Sequence, residues 1–449
     1  MWERLRSIWT VPDLRNKILF TLGMLLIFRV LASITVPLTH AQAQALAKLF
    51  SGSSSNNNLG QLLGLLDVFS GGSLQTFSVV AMGVYPYITA TIVMQLLQPI
   101  IPALQNLSME GEAGRLRFSQ ITRIITVPLA FLQALGNAAI FVRVGVLDSS
   151  SFNLFGGNGV WLSTLAILMS MVAGTMILVW IGELITENGI GNGISLIIFA
   201  GIVSRLPGFV QQGFLASSSS NGSGSGVVSI VVFLIIGLLT IVGIVYIYQG
   251  QRRVPVQYPT KRMVGRGLLV GSAQTTYIPI QVNSAGMIPL IFAQSMLIFP
   301  AVLSQYLVGN SVTWLSNAAQ WVGTYIVNTS LWYYWFIYFI LVVAFTFFYA
   351  YVVWQQQNIP ENLQKQGAFI PGYRPGEPTS RYLQAILNRV TLGGALFLGI
   401  VAILPYVSRV GGNQLLSSAA LLIVVGVVLD TVRQLEAQMV MRNYSGFLS

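Results

Sequence analysis

The stretch VVSIVVFLIIGLLTIVGIVYIY, Val227–Tyr248, contains no charged residue and is apolar on every face. A helix of about 20 such residues, rising 1.5 Å per residue, crosses a hydrocarbon core about 30 Å thick. Comparable stretches recur to either side of it. The pattern predicts ten spans, over 18–37, 82–101, 124–142, 162–182, 194–210, 227–248, 286–308, 332–354, 391–408 and 415–432. Of the 449 residues, 54% are hydrophobic and 8% charged, where soluble domains carry about 25% charged residues. Lipid is therefore the solvent for most of this chain, and the expected fold class is an all-α polytopic membrane protein.

Two polar tracts punctuate the spans. Ser51–Leu59 follows the first, and Ser217–Gly226 falls near the middle of the chain, between the fifth and sixth. Five spans on each side of a central linker predict two inverted, pseudo-symmetric halves. The expected organisation is a cytoplasmic N-terminus over 1–17, a first half over 18–210, an external linker over 211–226, a second half over 227–432, and a cytoplasmic tail over 433–449. Large cytoplasmic loops are expected near 249–277 and 355–382. The opening residues are polar and precede a full-length span, so no cleavable signal peptide is expected.

Charge placement sets the orientation. With the N-terminus inside, eighteen basic residues, from Arg4 to Arg442, face the cytoplasm. The outer segments keep Lys48, Arg143, Arg205 and Arg409, and Arg29 lies within the first span. The positive-inside rule selects this orientation and places both termini in the cytoplasm. It also accounts for most of the formal charge of +11, leaving RNA contact through a ribosome as a further use of that charge.

The missing chemistry narrows the function. There is no cysteine, and the one histidine, His40, falls in an outer loop, so thiolate sites and His-centred metal or triad chemistry are not expected. Gly189, Gly191 and Gly193 imitate a nucleotide fingerprint but precede no soluble βαβ unit, and no lysine follows a P-loop pattern. The acids Glu110, Glu112, Glu183 and Glu187 are expected in cytoplasmic loops, and Asp430 near the inner end of the last span. Mid-membrane acids, which ion-coupled transport uses, are absent from the predicted spans. Gln95, Gln133 and Gln294 are polar but uncharged, and suit interhelical hydrogen bonds. A secondary transporter for a small solute is thereby disfavoured; a membrane enzyme lacks any visible nucleophile, base and metal combination. No cofactor is expected.

Five collinear blocks are more specific. They are FSGGS (Phe69–Ser73) running to GVYPYITATIVMQLL (Gly83–Leu97), TENGIGNGISLIIFAG (Thr186–Gly201), GQRRVPVQY (Gly250–Tyr258), NSAGMIPLIF (Asn283–Phe292), and GAFIPGYRPG (Gly367–Gly376) followed by Tyr382-Leu383. Each is similar to a signature block of the SecY family, the channel subunit of the bacterial protein-export translocon, and they occur in the family's order. Pro255 and Gly267 depart from the family's basic-loop pattern.

The resemblance implies a passive conduit for unfolded secretory polypeptide that also releases membrane helices sideways into lipid. It assigns Phe69–Val79 to a plug, a short half-helix within about 67–81, including Phe69, Ser70, Gly71, Gly72, Ser73, Leu74 and Gln75. Glycines in that segment and Pro86 beyond it disfavour continuous helix. Val84, Ile88, Ile194, Ile198, Ile291 and Ile423 match the pore ring by motif position. Their spacing alone would fit ordinary core or lipid-facing aliphatics; a ring of them would exclude ions by dewetting. Thr89, Gln95, Gln294 and Phe299 are candidate lateral-gate residues, with ordinary interhelical contact as the other reading. Arg252, Arg253, Lys261, Arg262, Arg266 and Arg374 are candidate docking residues.

The resemblance further implies SecE and SecG as small membrane partners, and the SecA ATPase or the ribosome as the source of directional work. Substrate preproteins and membrane lipids complete the set. The expected location is the bacterial inner membrane, with the thylakoid membrane added in a cyanobacterium.

Overall fold

The computed structural model describes residues 12–36, 67, 70–143, 160–218, 225–264, 268–307, 313–326, 331–410 and 418–445. The helices are α1 (Pro12–Ser33), α2 (Tyr85–Leu97), α3 (Pro102–Met109), α4 (Glu112–Arg143), α5 (Val160–Asn188), α6 (Gly193–Ser218) and α7 (Ser225–Gln249). Strands β1 (Gln251–Val264) and β2 (Leu268–Gln281) follow. Then come α8 (Ile288–Leu307), α9 (Thr313–Trp321) with a π-helical turn over Val322–Ile326, α10 (Trp332–Gln357), α11 (Ile359–Lys365), α12 (Glu377–Val410) and α13 (Ser418–Ser445).

A helix lies over each of the ten apolar stretches. Among the described residues, five helical segments are long and apolar enough to cross a membrane: Pro12–Ser33, Leu116–Ala138, Thr164–Asn188, Trp332–Lys365 and Glu377–Leu404. Their outer faces are apolar. Leu19, Leu22, Leu26 and Val30 form an exposed stripe on α1, and Leu392, Leu396 and Ile400 form another on α12. Exposed stripes of this kind suit lipid rather than water.

Four expectations change in the structure. The second span is shorter than 82–101: α2 has 13 residues, with proline in its first turn. Ile101, which precedes Pro102, is extended, so the helix stops short and α3 begins anew. The expected plug half-helix is a run of turns over 70–84, where Gly71, Gly72 and Phe77 all adopt positive φ. The linker expected over 211–226 is shortened, because α6 continues to Ser218 and α7 starts at Ser225. Finally, the basic loop expected over 249–277 is an antiparallel β-hairpin, Gln251 pairing with Gln281 and Val264 with Leu268.

The prolines of that hairpin explain how it survives. Gln257 turns its amide and carbonyl to the outer edge of β1, where both bond Phe369 at 2.9 and 3.0 Å. Pro255 and Pro259 share its parity, and Pro279 faces Arg253 of that parity, so their missing donors fall where the β1–β2 ladder needs none.

The chain forms two compact units that interleave along the sequence. The first comprises Met1–Phe233, Ser295–Trp335 and Ile423–Ser449; the second comprises Leu234–Gln294 and Phe336–Leu422. In the first, α4 packs on α2, α3 and α5, α5 on α6, and α1 on α5 and α6. In the second, the inward residues Val254, Val256 and Ile280 of the hairpin join Leu363, Ala368, Ile370, Leu383 and Leu387 in one core. The two cytoplasmic loops of the sequence reading are thus one folded body.

Candidate functional site

Within the first unit, the turns over 70–84 are packed tightly. Leu74, Phe77, Ala81 and Met82 bury themselves against Val36, against Ala130, Ala134, Ala138 and Phe141 of α4, and against Leu168, Met171 and Val172 of α5. The alanines stand four residues apart, so α4 presents a smooth face that lets the segment approach. Phe77 meets Phe141 edge to face, with ring centroids 5.1 Å apart. Its main chain pairs with the end of α1: Val36 N–H donates to Phe77 O and Val79 N–H to Ile34 O, each at 3.0 Å.

Polar groups hold the other end of the segment. Asp67 is 2% exposed, and its carboxylate pairs with Arg205 of α6. The same carboxylate accepts the Gln75 amide at 2.9 Å, while Arg29 of α1 donates to Gly71 O at 3.0 Å. Ser70 Oγ accepts the Leu74 amide at 3.2 Å, and Ser73 Oγ donates to Ser70 O at 2.5 Å. A Cβ on Gly71 would lie 2.6 Å from Gly201 Cα, and one on Gly72 would lie 2.7 Å from Arg205 Nε. The glycine pair therefore permits both the positive φ values and the close approach.

In sequence Arg29 stands as a charge within an apolar span, Arg205 among the outer charges and Asp67 outside the named plug residues, whereas the structure brings all three to the start of this segment. An arginine inside an apolar helix was the available signal. The expected plug residues Ser70, Gly71, Gly72, Ser73, Leu74 and Gln75 all lie in the packed segment; Phe69 lies outside the described residues.

The candidate ring residues sit on several elements. Val84 precedes α2 and is buried, Ile88 follows on α2, Ile194 and Ile198 lie one turn apart on α6, and Ile423 is buried on α13. Ile291, on α8, is buried within the second unit, whereas the other five belong to the first.

The block before Ile194 has a local structural logic. Asn192 Oδ1 accepts the amides of Ile194 and Ser195 at 3.1 and 3.2 Å, capping α6. Thr186 Oγ1 accepts the Gly193 amide at 2.9 Å, and a Cβ on Gly193 would meet Gly182 O at 1.9 Å. The α5–α6 turn also bonds α1, with the Ile190 amide donating to Thr21 Oγ1 at 3.2 Å. The Gly-Asn-Gly run thus fixes the start of the helix that carries Ile194 and Ile198.

Among the candidate gate residues, Thr89 Oγ1 donates to Tyr85 O at 3.1 Å and accepts Gln133 Nε2 at 3.3 Å. Tyr85 OH donates to Ser295 O of α8 at 3.3 Å, joining α2 to α8 within the first unit. A cavity of about 20 Å³ lies beside this contact, lined by Leu74, Met82, Gln133, Asn137 and Ile298 among others. Gln95 lies half-buried on α2, and Gln294 is buried in the second unit. The side chain of Phe299 lies outside the described residues. Glu183, expected in a loop, lies within α5, pairs with Arg123 of α4 at 2.5 Å and is 18% exposed. The long arginine side chain reaches across the α4–α5 contact to supply that partner.

In the second unit, Arg252 and Arg253 are exposed on adjacent positions of β1 and so point to opposite faces. The side chains of Lys261 and Arg262, and the whole of Arg266, lie outside the described residues. Arg374 is exposed at the tip of the turn before α12, and its carbonyl accepts Thr379 Oγ1 at 2.8 Å. Tyr373 stacks on Tyr382 at 4.0 Å, which ties the tip to the helix. A cleft of about 580 Å³ opens beside it, lined by Tyr373, Glu377, Arg381, Tyr382 and Arg389 among others.

Comparison with known proteins follows the same lines. The family model described as SecY matches residues 78–432. The protein translocase subunit SecY of Mycobacterium bovis (strain ATCC BAA-935 / AF2122/97) is 41% identical over 444 residues, covering 97% of each chain. That of Thermotoga maritima (strain ATCC 43589 / DSM 3109 / JCM 10099 / NBRC 100826 / MSB8) is 38% identical over 450 residues, covering 100% of this chain and 98% of the relative. Among solved structures, a protein-conducting channel gives a TM-score of 0.61 at 17% identity, over 95% of this chain and 93% of that one. Sec61 in the canine ribosome–channel complex gives 0.57 at 17% identity, over 95% and 93%. At those identities the structures establish a shared fold.

Proposed function

The chain belongs to the SecY family of protein translocase subunits, and on that premise we propose how its parts divide the work of passing polypeptide across and into the bacterial inner membrane. In this reading ten helices cross the membrane in two inverted halves, with both termini in the cytoplasm. Val84, Ile88, Ile194, Ile198, Ile291 and Ile423 form a constriction whose stiff aliphatic side chains exclude water and ions at rest. The segment 70–84 fills the channel as a plug. Helices α2 and α8 part to release apolar segments into lipid, with Thr89, Gln95, Gln294 and Phe299 along the parting line.

One observation supports this reading above the others. The segment 70–84 is buried like a core yet built from turns, and directional contacts from α1 and α6 hold one end of it. Such a piece can leave as a unit without unfolding a helix of the wall.

Directional work comes from outside the chain. The hairpin and the turn at Arg374 form the docking body for the SecA ATPase and the ribosome, and SecE- and SecG-like subunits complete the complex. An arginine offers a planar fork suited to carboxylates and phosphates alike. The test is copurification followed by reconstitution: the chain should bring small membrane subunits with it, and the complex in vesicles should import a preprotein when SecA and ATP are supplied. Vesicles that take up a small solute and no polypeptide would contradict the proposal.

A further inference from the structure

Asp67 is a buried carboxylate that precedes the segment proposed to move and is bonded to its Gly72 and Gln75 amides, and its charge partner stands on α6. Arg205 of α6 pairs with one carboxylate oxygen while the Gln75 amide donates to the other. The Asp67 carbonyl accepts the Gly72 amide at 3.0 Å and Ser70 Oγ at 3.2 Å, so this one residue ties the segment on itself and to α6. Arg29 of α1 adds a second tether through Gly71 O. Removing one partner of a buried ion pair strands the other charge and costs far more than removing both.

We infer that Asp67, Arg205 and Arg29 form a polar latch that sets how strong a signal sequence must be to displace the plug. The inference rests on the plug reading above and adds which residues fix its threshold. The closed state contains the pair and the open state lacks it, so the pair enters the cost of opening directly. A signal sequence opens the channel only through its preference for the open state. Weak signals fail against an intact latch and succeed against a weakened one. Arg205 and Asp67 are thereby specificity-determining residues for export. Arg29 contributes less, because its acceptor is a neutral carbonyl.

The test uses the full complex in cells, with a secreted reporter whose signal sequence has lost part of its apolar core. Export is normalised to the amount of chain in the membrane. Asp67→Asn and Arg205→Gln should each raise export of the defective reporter about tenfold, the ratio that 1.4 kcal/mol represents. The double variant should show no more than the larger single effect, because a pair can be broken only once. Arg29→Gln should give a smaller rise, and Arg205→Lys, which keeps the charge, should remain near the wild-type level. Misfolding cannot imitate these results, since it lowers export. Multiplicative single effects, or singles with wild-type discrimination in normally assembled complexes, would overturn the latch. A parallel deletion of 70–75 separates the two claims: looser discrimination there with unchanged singles refutes the latch alone, and no change in the deletion refutes the plug reading itself.

Discussion

The segment 70–84 and the hairpin body of the second unit are both compact and both built around small apolar cores, yet they are held in opposite ways. The hairpin body is tied by a continuous ladder from Gln251–Gln281 to Val264–Leu268, with Phe369 added on its edge. Its core residues Val254, Val256, Leu363 and Leu383 are nearly inaccessible, and its functional candidates project outward from it. The turn segment has no ladder beyond one bridge to the end of α1 and relies on Phe77, Asp67 and two arginines of the wall. A part that docks a partner gains from rigidity, because less freedom is lost on binding. A part that must leave gains from having few, directional attachments that break together.

The contrast can be broken most sharply at the docking tip. Arg374→Glu should abolish SecA-stimulated ATP turnover and preprotein import while the complex still assembles; normal import by this variant would reduce Arg374 to a topogenic charge. Arg374→Lys should import at an intermediate rate, because it keeps the charge and loses the bidentate fork.

Core truncations should next separate the regions by symptom. Leu383→Ala should cost the hairpin body about 2–5 kcal/mol, loosening the hairpin and the Arg374 turn together. Limited proteolysis should then cut both loops faster, without any resting ion leak. Phe77→Ala should cost the packing of segment 70–84 about 3–5 kcal/mol, which on the plug proposal is lost from the closed state alone. Its expected sign is leak with intact docking. If Phe77→Ala left resting conductance unchanged and impaired SecA binding, the division of labour would fail.

On the proposed ring and plug, replacing Ile198 and Ile423 together with Asn should give a measurable resting leak, smaller than that of a plug variant because segment 70–84 stays in place. Pro255→Ala should have the smallest effect, within about 0.5 kcal/mol, since that position needs no ladder hydrogen bond. A large gain in hairpin stability, from a restored N–H completing a ladder hydrogen bond, would show that the parity on β1 is the reverse.

How legible these regions were in the sequence follows from the kind of signal each carries. The apolar stretches needed one variable, hydropathy, and helices stand over all ten. In sequence the region 249–277 stands out as a basic loop between two spans, and Pro255, Pro259 and Pro279 mask the alternation of Val254, Val256, Ile278 and Ile280 that marks its strands. Parity resolves that conflict, and parity depends on a partner strand. The turn segment is assigned by the family resemblance and its glycines disfavour continuous helix, but the positive φ of Phe77 has no residue signature. Arg29 was visible as a charge in an apolar helix; its acceptor is a main-chain carbonyl, which no sequence pattern marks. The partner of Glu183 was equally hidden, since Arg123 lies on a different helix.

The central claim is that the segment 70–84 is a displaceable closure and not a fixed part of the wall. Planar-bilayer recording on complexes reconstituted without SecA or ribosome tests it most directly, comparing the intact chain with a deletion of 70–75. The account predicts a closed baseline for the intact chain and frequent ion-conducting openings for the deletion, with assembly of the complex preserved. A deletion that assembles normally and stays as tight as the intact chain would contradict it.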